Sequence, residues 1–372
     1  MTDINNFPQN DLSPNDLSKL AGQLIMIRFP GTELDAATAG FIKANGIRAV
    51  CLFRGNMTDA AQLSKLTADL RAVMGPESLI AIDQEGGAVV RATWVPAPPS
   101  AMGLGAADDA GLAQRTGAAV ARAIKSLGFN WNFAPVLDLN NNPYNPVIAE
   151  RSFGDDPQRA AELALAWMAG SQSEGVACCA RLYMPSSAAL FLPQASLPTV
   201  AKSRSQLEEY DFVPFRQATA QAASMMSAHV LYPALDAALP ASLSPRVLQD
   251  LVRGQWHYDG VIISDGLDTA CVRERHMTGE LALRSVTAGS DMAMVLERPA
   301  AAAALDALAG ALAAGRLPLQ AVGTRLARLA TQARRYPAKA EGNAQHYVQE
   351  AADRIILAEG WRRCKAALAR QP

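Results

Sequence analysis

The chain has 372 residues, half of them hydrophobic, enough to bury the core of one large α/β barrel or of two ordinary domains. Lysine and arginine number 34 against 35 aspartates and glutamates, and no basic stripe stands out, which sets aside nucleic acid as a partner. The opening MTDINNFPQNDLSPND lacks a basic stretch followed by an apolar run, and no apolar run reaches membrane-spanning length, so neither a secretory signal nor a membrane partner is expected. Five scattered cysteines, with Cys178-Cys179 adjacent in an apolar run, point to packed, reduced thiols and a cytoplasmic setting.

In chain order, eight short apolar runs recur: QLIMIRF (23–29), IRAVCLF (47–53), SLIAID (78–83), FNWNFAPVLDL (129–139), VACCARL (176–182), ASMMSAHV (223–230), GVIISD (260–265) and SDMAMVL (290–296). Continuous rather than alternating apolar character suits strands covered on both faces. The intervening segments read as helices. Thr58 is positioned to cap TDAAQLSKLTADLRAVM, which stops at Gly75, and Asp156-Pro157 starts another. Ser205 and Glu208 have capping-box spacing, and Ser244-Pro245 opens a helix that Gly254 closes.

This alternation predicts an α/β, TIM-like (β/α)₈ barrel forming a single domain over 1–372, with its core over about 20–300 and Ala-rich C-terminal helices over about 300–370. A doubly wound open sheet is the rival, weakened because no Gly-rich phosphate fingerprint follows the first strand.

The active site of such a barrel lies at the C-terminal ends of its strands. There the third run ends in Asp83, the fourth near Asp138, the fifth in Arg181 and the seventh in Asp265, while the sixth reaches His229. A lone strand-end Asp commonly serves as a cap, but several charged groups on one rim argue for a polar pocket. Carboxylates around a cleft suit glycosidic bond cleavage, in which one attacks the anomeric carbon and an acid protonates the leaving oxygen. Asp265 is the candidate nucleophile.

The segments IDQEGG (82–87), APVLDLNNNP (134–143), ERSFGDDP (150–157), SAHVLYPALD (227–236), ASLSP (241–245) and YDGVIISDGLD (258–268) keep an order and spacing that resembles glycoside hydrolase family 3. The likeness is strongest to its single-domain bacterial β-N-acetylglucosaminidases. The resemblance implies a barrel, a retaining double displacement, an N-acetylglucosamine-type carbohydrate ligand, and no metal or other cofactor. It carries the nucleophile to Asp265, a sugar-gripping carboxylate to Asp83 and a substrate-binding arginine to Arg151. His229 lies in the family's AHV segment, either against the ligand or as a structural histidine.

Two departures stand out. The basic residue usual after IDQEGG is Ala88 here, although Arg91 follows three positions later. More consequentially, the family's KHFPGHGDT segment, with the DSH that follows it, is replaced. Arg181 stands for its Lys and Leu182 for its first His, and from Leu182 to Ala201 there is no Asp, Glu, His, Cys or Lys. The proton-transfer dyad is therefore missing, leaving the acid/base unknown; His276, one short loop after Asp265, is a weak candidate. Two functional readings follow. One is a retaining exo-β-N-acetylhexosaminidase with weak or lost turnover; the other is a non-catalytic sugar-binding or regulatory protein on the same barrel.

Overall fold

In the computed structural model, residues 12–94, 97–141, 145, 147–181, 197–273, 277–338, 360, 362, 363 and 365 are described. The apolar runs become parallel strands: β1 (Ile25–Ile27), β2 (Ala49–Leu52) and β3 (Leu79–Ile82). After a small hairpin, β4 (Gln84–Gly86) and β5 (Val89–Val90), come β6 (Trp131–Asn132), β7 (Ala177–Arg181), β8 (Ser224–Ser227), β9 (Val261–Ser264) and β10 (Ala293–Met294). Eight of these form one sheet in the order β10-β1-β2-β3-β6-β7-β8-β9. The ends meet: Ile263 bridges Met292, and Ser264 N–H donates to the Met292 carbonyl at 3.1 Å. The sheet is thus a (β/α)₈ barrel, and the open-sheet rival falls away.

The barrel strands are mostly apolar because both faces are covered. Ala49, Val50, Cys51 and Leu52 are all buried, as are Leu79 through Ile82. Helices surround the barrel. The Asp156 carboxylate accepts the N–H of Arg159 and Pro157 follows it, so Pro157–Ser173 starts as its sequence suggests. Other caps fall nearby but elsewhere. Asp59 rather than Thr58 caps Ala60–Met74, accepting from Gln62 N–H, and the capping box is Ser203–Gln206 rather than Ser205–Glu208. Residues Arg246–Gln255 wind as a π-helix that passes through Gly254 instead of ending there.

The helices Arg298–Ala313 and Leu319–Arg335 add to the outer layer, and the second reaches the strands' N-terminal end. There Arg328 Nη1 donates to Asp291 Oδ1 at 3.1 Å, and Asn130 Nδ2 donates to the Tyr336 carbonyl at 2.7 Å. Among the described residues no helix is long and apolar enough to cross a membrane.

Candidate active site

The C-terminal rim gathers charge, beginning with Asp83 at the end of β3, whose side chain is 4% exposed. Arg181 Nη1, from the end of β7, donates to Asp83 Oδ1 at 2.7 Å, and Arg91 donates to Oδ2 through Nη2 at 2.9 Å and Nε at 3.3 Å. Burial opposes ionisation of this carboxyl, but the guanidiniums of Arg181 and Arg91 outweigh it and hold the pKa below its ordinary value. A buried carboxylate is tolerated only with such partners.

The backbone around Asp83 is fixed from the neighbouring strand. Asn132, on β6, accepts the Gln84 N–H at 3.0 Å and donates to the Gln84 carbonyl at 3.0 Å. Gln84 Oε1 in turn accepts the N–H groups of Arg91 and Ala92, holding Arg91 beside Asp83. The chain reverses through Gly86 and Gly87, with φ of 121° and 57°. A Cβ at Gly86 would stand 2.4 Å from the Pro99 carbonyl, so only glycine fits this turn.

Glu85 connects Arg181 to a third arginine, Arg151. Arg151 donates to it bidentately, Nε to Oε2 and Nη2 to Oε1, both at 2.8 Å. Arg181 Nη1 lies 3.3 Å from Glu85 Oε1 as well as 2.7 Å from Asp83 Oδ1. Asp83, Arg181 and Arg151 therefore share one ion-pair network, joined through Glu85.

Asp265 follows β9 on the same rim and is half-buried. Its N–H donates to the Ser227 carbonyl at 2.9 Å, and its Oδ1 accepts the Gly266 N–H at 2.7 Å. Asp83, Arg181 and Asp265 each close a strand, and β3, β7 and β9 run parallel in one sheet. Those three charges thus stand over one end of the barrel.

His229 is buried, with both ring nitrogens engaged: Nδ1 lies 2.7 Å from Ser242 Oγ and Nε2 lies 2.9 Å from the Gly266 carbonyl. A carbonyl requires an N–H on Nε2, and Nδ1 shares a second hydrogen bond with the Ser242 hydroxyl. The ring thereby braces the residue after Asp265. Asp268 Oδ2 accepts the N–H groups of Leu296 and Glu297, tying the same loop to the segment after β10. Glu150 accepts the Ala88 N–H at 2.7 Å, and Asp138 is buried. His276, Tyr183 and the segment 182–196 lie outside the described residues. Among the described residues, no group of three or more His, Cys, Asp and Glu is arranged to hold a metal ion.

Glu85 and Asn132 are the functional-rim residues that sequence reasoning missed. A signal existed for each: Glu85 sits between Asp83 and a Gly-Gly turn, and Asn132 is a polar residue inside an apolar strand.

Fold and rim together define an α/β-barrel protein whose strand ends carry a compact set of carboxylates and guanidiniums. The chain belongs to glycosyl hydrolase family 3: the model of that family's N-terminal domain matches residues 17–332. It is similar to the β-hexosaminidase of Chromobacterium violaceum, at 35% identity over 319 residues, covering 83% of this chain and 87% of that one. The β-hexosaminidase of Pseudomonas aeruginosa is 34% identical over 290 residues, covering 76% and 86%. Among solved structures, a family 3 β-N-acetylglucosaminidase from Paenibacillus sp. str. FPU-7 matches with a TM-score of 0.88 and 34% identity, over 94% of this chain and 68% of that one. NagZ from Neisseria gonorrhoeae, in complex with N-trifluoroacetyl-D-glucosamine, matches with a TM-score of 0.75 and 28% identity, over 92% and 98%.

Proposed function

We propose that this protein is a retaining exo-β-N-acetylhexosaminidase-type glycoside hydrolase, acting on saccharides with β-linked N-acetylglucosamine, with slow turnover of unactivated linkages. The β-hexosaminidases and the sugar-complexed NagZ among its relatives support the substrate class. The observation that carries the reading is the placement of Asp265 on the rim that also holds the Asp83–Arg181–Glu85–Arg151 network.

In this reading the Asp265 carboxylate attacks the anomeric carbon, the bond to the leaving oxygen breaks, and a covalent glycosyl–aspartate forms. Water then attacks the same carbon, the bond to the aspartate oxygen breaks, the water's proton passes to solvent, and Asp265 is released as the carboxylate. Asp83 accepts hydrogen bonds from sugar hydroxyls, with Arg151 and Arg181 completing the binding wall. The leaving oxygen departs with its electron pair and takes its proton from solvent, since the segment from Leu182 to Ala201 offers no carboxyl, imidazole, thiol or ammonium.

That same segment favours a second reading, a non-catalytic sugar-binding protein on this barrel. An assay with an aryl β-N-acetylglucosaminide separates the two. The hydrolase reading expects aryl release that Asp265→Ala abolishes and that azide partly restores in Asp265→Gly. Release untouched by Asp265→Ala overturns the nucleophile assignment. Absence of release, with N-acetylglucosamine still raising the melting temperature, moves the protein to the binding reading.

A further inference from the structure

We infer that Glu85 is the positioning residue of this pocket, setting the Arg151 and Arg181 guanidiniums without itself touching the sugar. The inference rests on the glycosidase reading of the pocket for its functional consequence, and on geometry alone for its structural part.

The geometry is a clasp closed in both directions between two segments. Glu85, on the β4 side of the hairpin, reaches Arg151 in the 149–151 turn with two bonds of 2.8 Å. Glu150, in that turn, reaches back to the N–H of Ala88 in the hairpin at 2.7 Å. Each carboxylate therefore fixes the segment that carries the other. The backbone is shaped for this crossing. Ala149 holds φ at 38°, a left-handed conformation that side-chain-bearing residues rarely adopt. A Cβ on Gly87 would lie 3.0 Å from Glu150 Oε1, so glycine there leaves the carboxylate its approach. Such a strained, over-determined turn is what a site needing one arginine orientation requires.

Surroundings strengthen the pair. Glu85 and Arg151 side chains are 7% and 11% exposed, and they border a small cavity also lined by Leu104, Val136, Phe153 and Trp167. Among such apolar neighbours, with little water to screen it, a bidentate guanidinium–carboxylate pair has strongly preferred planar geometry. Arg151 Nη1 also donates to the Val147 carbonyl at 3.1 Å, a third tether on the same group. Because Arg181 Nη1 lies within reach of both Glu85 and Asp83, the carboxylate of Glu85 also fixes where Arg181 meets Asp83. Removing its charge takes the bidentate carboxylate from Arg151 and one of two carboxylate contacts from Arg181, and a Gln amide would turn a donor toward one of them.

The consequence is a loss of pocket alignment rather than of chemistry at Asp265. Misplacement of a binding group by about 1 Å can cost about 10²-fold in catalysis. Glu85→Gln should therefore lower kcat/KM on an aryl β-N-acetylglucosaminide by about 10- to 100-fold, mainly through KM. Glu85→Asp, which keeps the charge, should recover part of it.

The test combines a double-mutant cycle with a measurement that needs no sugar. In the cycle, Glu85→Gln combined with Arg151→Ala should lose clearly less than the product of the two single losses, the remainder acting through Arg181; losses that multiply in full overturn the inference. A Glu85→Gln protein with a lowered melting temperature but unchanged KM also overturns it, assigning Glu85 to stability only. Independently, the Arg151 Nε–H should appear as a slowly exchanging nitrogen-15 resonance in the free protein and vanish in Glu85→Gln. Its persistence in that variant sinks the proposal. If the wild-type protein releases no aryl group while this resonance behaves as expected, the glycosidase reading fails and the positioning role stands.

Discussion

Arg181 Nη1 stands 2.7 Å from Asp83 Oδ1, so the end of β7 neutralises the end of β3 across the barrel mouth. The same nitrogen lies 3.3 Å from Glu85, a reach that suits a planar guanidinium held against two carboxylates. Arg181→Ala strips one partner from a buried carboxylate, and hydrogen bonds to charged groups are worth about 1.5–3 kcal/mol. Urea unfolding should show a loss of about that size. Arg181→Lys should fall between the two, because an ammonium keeps the charge but loses the fork. A lysine variant no better than alanine would remove charge pairing as the reason for this residue.

The pH dependence follows from Asp83. Its folded carboxyl lies below the ordinary value of 3.8, so between the two values the unfolded chain binds the proton and the folded chain does not. The stability contributed by its arginine pairs is then fully present above pH 3.8 and drains away as pH falls through the depressed folded value. Asp83→Asn removes this group's share. Unfolding free energies measured from pH 6 down toward pH 3 should fall less steeply in the variant than in the wild type.

The barrel was legible because its strands are buried on both faces, a condition written as runs such as SLIAID and GVIISD. The rim was legible in part, since strand-end charges announce themselves one by one. What the sequence concealed was pairing. Glu85 and Arg151 are 66 residues apart, and nothing local marks them as partners. Cap positions failed for a different reason. Thr58 and Asp59 both offer an oxygen, and the choice falls to the residue whose backbone is extended at the helix start, here Asp59 with φ −152° and ψ 175°.

His229 acts on Asp265 only through the intervening backbone. Its Nε2–H holds the Gly266 carbonyl, and its Nδ1 is hydrogen-bonded to the Ser242 hydroxyl. His229→Ala leaves the buried Ser242 hydroxyl without this partner, at a cost of about 1–3 kcal/mol. The loop bearing Asp265 also loses its brace, so kcat should drop more than KM rises. A large rise in KM with kcat preserved would instead place the imidazole against the sugar.

The paired cysteines offer a reporter of unfolding. Cys178 and Cys179 are completely buried, and burial pushes both thiols up to about 12. At pH 8 neither forms appreciable thiolate in the folded protein, and neither is reachable. Among the described cysteines, a thiol reagent should modify the half-exposed Cys271 first, with Cys178 and Cys179 following only at the rate of unfolding. Peptide mapping of the labelled protein reads this directly.

The strongest demand on the hydrolase reading concerns the leaving group. General acid assistance contributes about 10²–10⁴ in rate, and it matters most when the departing oxygen is strongly basic. With no carboxyl, imidazole, thiol or ammonium from Leu182 to Ala201, the departing group must leave close to its anionic form. The rate of glycosyl–aspartate formation should then depend steeply on leaving-group pKa. Across a series of substituted aryl β-N-acetylglucosaminides, log kcat/KM should fall linearly as phenol pKa rises. A β-linked disaccharide should lie about 10²–10⁴ below a strongly activated aryl glycoside beyond what its binding explains. Restoring a proton donor should flatten that slope and selectively speed the disaccharide. If the disaccharide and the activated aryl substrate already turn over alike in the wild-type protein, a donor is at work. It is then the Tyr183 phenol or a group outside the segment 182–201, with His276 the first residue to replace.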